Sequence, residues 1–228
     1  MVKLSTQTAF STKNYLKENL LEYHKSLPYY APENSKLANL LKKKALKESI
    51  PIISDDVFCF LSQLVLLKNP MRILEIGTGG CYSTLALLEY FTGDDLISLD
   101  VSDNAIMDAH DLKETHDIFK KVQFVFCNAI DYLHEYQNSS FDLIFVDARK
   151  KHYKDFLKLS VPLLKRGGTI LFDNLYFSGH VCRTAQYNPL FENKVTILKE
   201  FNKLFLDEKN LTASIYPFGD GLGIGVKK

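Results

Sequence analysis

Two carboxylates and one amide in the second half of the sequence could together hold a metal ion. Asp147 follows the apolar run 141–146, and the pair Asp173-Asn174 follows the largely apolar run 169–172. Three oxygen ligands suit Mg²⁺ or another octahedral divalent ion, and they leave three positions for water or substrate. An Asp-Asn pair also favours a simple turn after a strand, so that alternative stays open.

Lys150 lies three residues after Asp147, where the first turn of a following helix would bring it to the same site. A lysine beside a bound cation can give up its proton and act as a base. The same lysine belongs to the basic run Arg149-Lys150-Lys151, so exposed surface charge is the alternative interpretation. The histidines and cysteines of the sequence do not have the spacing of a zinc site.

A glycine-containing loop, Glu75-Ile-Gly-Thr-Gly-Gly-Cys-Tyr-Ser83, follows another apolar run. Its glycines would let the backbone approach a ligand closely. The dinucleotide fingerprint G-x-G-x-x-G fails because Tyr82 stands at the third glycine position, and no G-K-[ST] follows for a phosphate loop. An acidic residue at the start of the loop suits a ligand with cationic and hydroxyl groups, such as S-adenosylmethionine. Asp100, 23 residues after Gly77, could accept hydrogen bonds from ribose hydroxyls, although dinucleotide folds share this spacing.

The elements around these residues alternate between strand and helix. The pattern predicts helices within 13–48 and at 55–67, the latter with Ser54 as N-cap. It then predicts strands at 72–76, 96–99, 122–126, 141–146 and 169–172, separated by helices at 82–91, 104–119, 129–136 and 151–164. A helix at 191–206 precedes an antiparallel pair at 211–216 and 222–226. Ligands of such sheets bind beyond the carboxyl ends of the strands, and all the acidic residues named above lie at these ends.

Composition and charge exclude several classes of protein. Hydrophobic residues make up 46% and charged residues 24% of the chain, an ordinary globular composition that excludes a disordered chain. The 228 residues include 28 basic and 27 acidic ones, a balance that excludes a strongly basic protein that coats nucleic acid. Residues 1–50 carry 9 lysines against 4 acids, residues 51–150 carry 7 basic against 16 acidic residues, and residues 151–228 carry 12 against 7. The basic ends are either solvated surface or contacts to a phosphate backbone. The absence of a signal peptide and of a long apolar run predicts a soluble cytoplasmic protein with reduced cysteines and no membrane contact.

Four motifs, in this order and spacing, resemble the metal-dependent O-methyltransferases, a group that includes the catechol and caffeoyl-CoA O-methyltransferases. They are Leu74-Glu-Ile-Gly-Thr78 with Tyr82-Ser83, Phe145-Val-Asp-Ala148 with Lys150 and Tyr153, Phe172-Asp-Asn174, and Gly219-Asp-Gly-Leu222. The resemblance runs from about residue 28 to the end. Within the group, the sequence looks most like the bacterial tRNA 5-hydroxyuridine methyltransferases, through Ile50-Pro-Ile-Ile53, residues 173–181 and residues 217–224.

The resemblance implies a Rossmann-like, doubly wound, mostly parallel seven-stranded sheet with an antiparallel C-terminal edge, and a homodimer. An N-terminal helical extension at 1–54 would precede the methyltransferase domain at 55–228. The resemblance also implies that Asp147, Asp173 and Asn174 bind the metal, most suitably Mg²⁺, and that Lys150 assists deprotonation. The implied cofactor contacts come from Ile53, Glu75, Gly77, Ser83, Asp100, Asn128 and Asp147. The sequence departs from the family pattern at Cys81 in place of glycine, at Asn128 in place of aspartate, and at Arg149 in place of an acidic or small residue.

Together these features predict an S-adenosylmethionine-dependent, metal-assisted O-methyltransferase. The resemblance favours 5-hydroxyuridine in tRNA as the acceptor. Its 5-hydroxyl and 4-carbonyl form a vicinal oxygen pair like that of a catechol, so one metal site could serve either compound. The residues that could contact tRNA phosphates are Lys36, Lys42 to Lys44, Arg149, Lys151 and Arg183. A small catechol-like or phenolic molecule is the alternative acceptor. A non-catalytic S-adenosylmethionine-binding module and a dehydrogenase are more distant alternatives, the latter disfavoured by the failed fingerprint.

Overall fold

The computed structural model describes residues 35–136, 141–182 and 189–228, which lie within one compact unit, residues 32–228. Its strands are β1 (Arg72–Ile76), β2 (Asp95–Asp100), β3 (Val122–Phe126), β4 (Phe141–Val146), β5 (Leu164–Phe172), β6 (Leu211–Tyr216) and β7 (Leu222–Lys227). Its helices are α1 (Ser35–Glu48), α2 (Asp55–Lys68), α3 (Tyr82–Leu88), α4 (Asp103–Thr115), α5 (Ala129–Glu135), α6 (Tyr153–Leu163) and α7 (Glu192–Leu206).

The strands form one sheet in the order β3-β2-β1-β4-β5-β7-β6. Strands β1 to β5 pair in parallel, whereas β7 runs antiparallel to both β5 and β6. The strand order reverses between β1 and β4, and this switch point is where open α/β sheets form their ligand crevice. The structure therefore confirms the predicted Rossmann-like architecture with its antiparallel C-terminal edge.

Both faces of the sheet are buried, which explains why the strands read as near-continuous apolar runs. Successive residues of β4 belong to different cores: Leu143 and Phe145 pack with helices α1 to α4, and Ile144 and Val146 pack with helices α5 to α7. The period of two along a strand sends these side chains to opposite faces. The sheet is thus held rigidly on both sides, and its strand ends are fixed in position.

Helix α1 shares the first of these cores with α2 and α3, through the buried side chains of Leu37, Ala38 and Leu41. The predicted helical stretch before residue 35 lies outside the described residues. The boundary at residue 54 between an extension and a methyltransferase domain stays a prediction.

Some element boundaries differ from the sequence prediction. The third helix ends at Leu88 instead of residue 91, and the predicted helix 104–119 is divided into α4 and a 3₁₀ turn at Asp117–Lys121. Strand β5 begins at Leu164 instead of residue 169, so Gly167 and Gly168 lie inside the strand rather than between a helix and a strand. The pairing of β5 with β4 is irregular there, because its register shifts between Phe141 and Leu143. A Cβ on Gly168 would approach the Lys165 carbonyl oxygen to 2.8 Å, so glycine suits this irregular stretch of the strand.

Two further expectations from the sequence concern membrane contact and the cysteines. Among the described residues, every helix is too short or too polar to cross a lipid bilayer. All four cysteines lie in this part of the chain, and none of them forms a disulfide within it.

Candidate functional site

A cavity of about 930 Å³ opens at the carboxyl ends of β1, β2 and β4. It brings together residues that are far apart in the sequence, because parallel strands end at the same edge of the sheet. The predicted site residues that line it are Ile53, Gly77, Ser83, Asp100, Asn128, Asp147, Lys150 and Asn174. Glu75 and Asp173 do not line the cavity and lie buried beside it.

Gly77 is the point where two of these strand ends touch. Its φ of +107° lies in a region that favours glycine, and an added Cβ would come within 2.0 Å of the Asp147 carbonyl oxygen. The backbone N–H of Gly77 donates to Leu99 at 2.8 Å, and that of Asp147 donates to Ile76 at 2.9 Å. Because Gly77 has no side chain, the loop that follows β1 can pass directly over the end of β4.

The loop that follows is held by Asp100. One carboxylate oxygen of Asp100 accepts the N–H of Gly79 at 2.9 Å, and the other accepts the N–H of Ser102 at 2.8 Å. Cys81, which departs from the family pattern, has a φ of +59° and is fully buried. The left-handed backbone at Cys81 is one that glycine adopts at lower cost. Burial raises the pKa of the Cys81 thiol far above its usual range, so the thiol stays protonated.

Asn128 lines the cavity from the start of α5. Its amide oxygen accepts the N–H of Ile130 at 3.0 Å and so caps the helix. A carbonyl oxygen has two lone pairs, so the cap leaves one acceptor position for a ligand. The cofactor contact that the resemblance implies for Asn128 is compatible with this arrangement and stays a prediction.

Glu75 is enclosed by hydroxyl groups instead of facing the cavity. Its carboxylate accepts hydrogen bonds of 2.6 Å each from Ser83, Thr84 and Ser98. Burial raises the pKa of Glu75 to about 7, although the three hydroxyl donors oppose this rise. Ser83 lines the cavity while Glu75 does not, so Ser83 connects the Glu75 carboxylate to the cavity wall.

Lys150 joins two of the predicted metal ligands. Its Nζ donates to the Asn174 amide oxygen at 2.8 Å and to an Asp147 carboxylate oxygen at 3.2 Å. It also donates to the Tyr153 hydroxyl at 2.7 Å, and that hydroxyl donates to the Asp173 carbonyl oxygen at 2.9 Å. Residues from the ends of β4 and β5 and from the start of α6 therefore form one polar cluster at the cavity floor.

Asp173 shows that this cluster fits a cation. Its side chain is buried, and its Oδ1 has no hydrogen-bond partner among the described residues. Burial and then the charge of Asp147 raise the pKa of Asp173 to about 7. A buried carboxylate oxygen without a partner is costly unless a proton or a cation reaches it. Within the described ranges no three His, Cys, Asp or Glu side chains form a metal cluster, so a cation here would need the Asn174 amide oxygen in addition to the two carboxylates.

Sequence reasoning did not assign roles to two residues that the structure connects to the cluster. Tyr153 is fully buried and holds the Lys150 ammonium, and its spacing of three residues from Lys150 could have indicated this contact. Asp220 lines the cavity, and its carboxylate oxygens accept the Ser178 N–H at 2.6 and 2.8 Å. The sequence motif Gly219-Asp-Gly221 indicated a turn there but not the loop that Asp220 would hold.

Comparison with known proteins identifies the family of the chain. The family model described as O-methyltransferase matches residues 29–228. The caffeoyl-CoA O-methyltransferase of Populus kitakamiensis is 28% identical over 219 residues, which cover 90% of this chain and 92% of that protein.

Solved structures give the same result. The O-methyltransferase of Bacillus cereus, crystallised with S-adenosylhomocysteine, has a TM-score of 0.72 and 25% identity, with 84% of this chain and 90% of that one covered. The O-methyltransferase TomG of Streptomyces achromogenes, in complex with S-adenosylmethionine, has a TM-score of 0.74 and 22% identity, with 90% and 94% covered. The chain therefore belongs to the O-methyltransferase family and is an S-adenosylmethionine-dependent O-methyltransferase.

Proposed function

We propose that this enzyme methylates one hydroxyl of an aromatic compound that carries two vicinal oxygens, with the help of a divalent cation. The observation that carries the proposal is the contact of Lys150 with both Asp147 and Asn174 at the cavity floor. Similarity to a protein named for caffeoyl-CoA, a catechol-type compound, supports this acceptor class.

The cation would be held by Asp147, Asp173 and Asn174, and Mg²⁺ is the ion that best suits these oxygen ligands. When bound, such a cation chelates two adjacent substrate oxygens and lowers the pKa of the hydroxyl to be methylated. We propose that Lys150, once its ammonium group has lost a proton to solvent, takes the proton of that hydroxyl, because its Nζ lies within hydrogen-bond distance of two of the three ligands. Tyr153 would hold Lys150 in place from its buried position.

The cofactor would lie along the glycine loop and supply the methyl group. Its predicted contacts in the cavity wall are Ile53, Gly77, Ser83, Asp100, Asn128 and Asp147. Asp147 belongs to both sets, so it would place the two reactants next to each other. Methyl transfer from a sulfonium needs the acceptor oxygen in line with the S–CH₃ bond, so this positioning supplies much of the rate.

The tRNA acceptor that the sequence favoured stays a prediction. Two of the lysines proposed to contact phosphates are already paired, Lys42 with Asp55 at 2.7 Å and Lys44 with Asp108 at 2.9 Å. Arg183 lies outside the described residues. A small acceptor needs none of these contacts, and we prefer it for that reason. The homodimer and the cytoplasmic location also stay predictions from the resemblance.

Transfer of a labelled methyl group from S-adenosylmethionine to catechol and to phenol tests the proposal. Phenol is the matched control because it lacks the second oxygen. With Mg²⁺ we expect label in catechol at a rate at least about 100-fold above that for phenol, and loss of that rate in EDTA. Equal rates for the two compounds, or full activity in EDTA, would contradict the proposal. Hypomodified tRNA in place of catechol tests the alternative acceptor in the same assay.

A further inference from the structure

The acidic side chains of the cavity all have partners within the protein. Asp100 accepts two backbone N–H groups, and Asp220 accepts the N–H of Ser178 with both oxygens. Asp147 pairs with Lys150 at 3.2 Å. The acidic groups that line the cavity are therefore neutralised or solvated by the chain itself, and they offer little attraction to a cationic substituent of an acceptor.

Arg149 differs from them. It lines the same cavity, its side chain is exposed, and no carboxylate of the described residues lies within ion-pair distance of its guanidinium. By contrast, the guanidinium of Arg72 pairs with Asp95 at 3.1 Å and donates to the Tyr136 hydroxyl at 2.7 Å. The uncompensated charge at the cavity mouth is therefore positive.

The position of Arg149 is fixed by its neighbours in the chain. It stands two residues after Asp147 and directly before the 3₁₀ turn Lys150–His152, where its own φ and ψ are −64° and 119°. Because Asp147 and Lys150 are anchored at the cavity floor, the two residues between them, Ala148 and Arg149, are held against the same cavity, and the exposed Arg149 lies at its rim. A ligand whose oxygens reach Asp147 and Asn174 would extend past this rim.

We propose that Arg149 binds an anionic substituent of the acceptor, a carboxylate or a phosphate, while the two vicinal oxygens of its ring lie at the cavity floor. This inference rests on the proposed function. The planar guanidinium can donate two parallel hydrogen bonds to a carboxylate or to a phosphate. It would therefore distinguish acceptors by the charge and by the shape of this substituent. Arg149 would thus determine which catechol-like compounds the enzyme prefers.

Three compounds with the same dihydroxy ring and different charge test the inference: 3,4-dihydroxybenzoate, neutral 4-methylcatechol and cationic dopamine. For the wild-type enzyme we expect kcat/KM for the benzoate to exceed that for 4-methylcatechol at least tenfold, mainly through KM, with dopamine lowest. Arg149→Ala should remove this preference, and Arg149→Glu should favour dopamine. The coenzyme A thioester of 3,4-dihydroxycinnamate, compared with the free acid, distinguishes a phosphate from a carboxylate as the bound group.

Arg166→Ala is the matched control, because Arg166 is an exposed arginine near the amino end of β5, at the sheet edge opposite the cavity. It should keep the wild-type preference. Equal kcat/KM for the three catechols, or the same loss of preference in Arg166→Ala, would overturn the inference. If no catechol is methylated, the proposed function has failed. In that case calorimetric binding of 3,4-dihydroxybenzoate still decides the inference: weaker binding to Arg149→Ala supports it, and equal binding overturns it.

Discussion

At the scale of single residues, burial raises the pKa values of two carboxyl groups, those of Asp173 and Glu75, but their hydrogen bonding differs. Asp173 has an oxygen without a hydrogen-bond partner in the described part of the chain, whereas both oxygens of Glu75 accept hydroxyl hydrogens. Sequence reasoning placed both at strand ends, but it assigned Glu75 to a ligand contact. The hydroxyls of Thr84 and Ser98 enclose Glu75 only once α3 and β2 are packed together, so the sequence alone could not show this.

Glu75 makes stability depend on pH. Its pKa rises from 4.5 to about 7 on folding, so the folded state binds the proton more tightly. This contribution to stability is fully present below pH 4.5 and is lost as the pH rises through about 7. The loss is on the order of 3 kcal/mol. We expect Glu75→Gln, which cannot ionise, to lose less of its free energy of unfolding than the wild type between these pH values.

Urea unfolding at several pH values from about 4.5 to 8 measures this difference. Subtraction of the two curves isolates Glu75 from other groups that titrate in the same range, including Asp173. Glu135→Gln, which removes a charge from an exposed position, controls for the change in net charge. Parallel curves for wild type and Glu75→Gln would show that Glu75 does not titrate in this window.

At the scale of elements, the ends of β1 and β4 carry the site. The sequence predicted these two strands with their observed bounds, because five or six largely apolar residues before a glycine or an aspartate leave few alternatives. It missed the start of β5 at Leu164, since Gly167 and Gly168 normally indicate a loop. Which residue ends a strand was therefore predictable, and how two strands touch was not.

Gly77→Ala tests the contact between these strand ends. The added Cβ would lie 2.0 Å from the Asp147 carbonyl oxygen, so either the loop or the end of β4 must move. Gly167→Ala is the matched control, because Gly167 also has a positive φ, of +75°, but a Cβ added there would meet nothing within 4 Å. We expect a cost of about 1–2 kcal/mol for the control. Gly77→Ala should cost at least about 1–3 kcal/mol more.

Thermal unfolding and calorimetric binding of S-adenosylhomocysteine report on the two parts of this prediction. Gly77→Ala should weaken cofactor binding at least tenfold, whereas Gly167→Ala should bind like the wild type. If both variants lose the same stability and bind the cofactor equally well, the close approach at Gly77 is not required.

At the scale of the whole molecule, four motifs in the right order indicated the fold class and an O-methyltransferase family, and both are confirmed. The acceptor did not follow, because net charge and lysine counts do not reveal which lysines are paired. Lys42 and Lys44 have carboxylate partners on other helices, while Arg149 at the cavity has none in the described residues. Pairing is a property of the packed chain, and it supports the proposed small anionic catechol over tRNA.

The proposed function requires that Asp147, Asp173 and Asn174 hold a divalent cation beside Lys150. Electron paramagnetic resonance titration with Mn²⁺, which reports binding without turnover, tests it most directly. We expect one Mn²⁺ site per chain that Mg²⁺ displaces, with at least about 100-fold weaker binding in Asp173→Ala. The exposed Asp155→Ala variant should bind like the wild type. Equal Mn²⁺ binding by wild type and Asp173→Ala, or no binding by either, would contradict the claim.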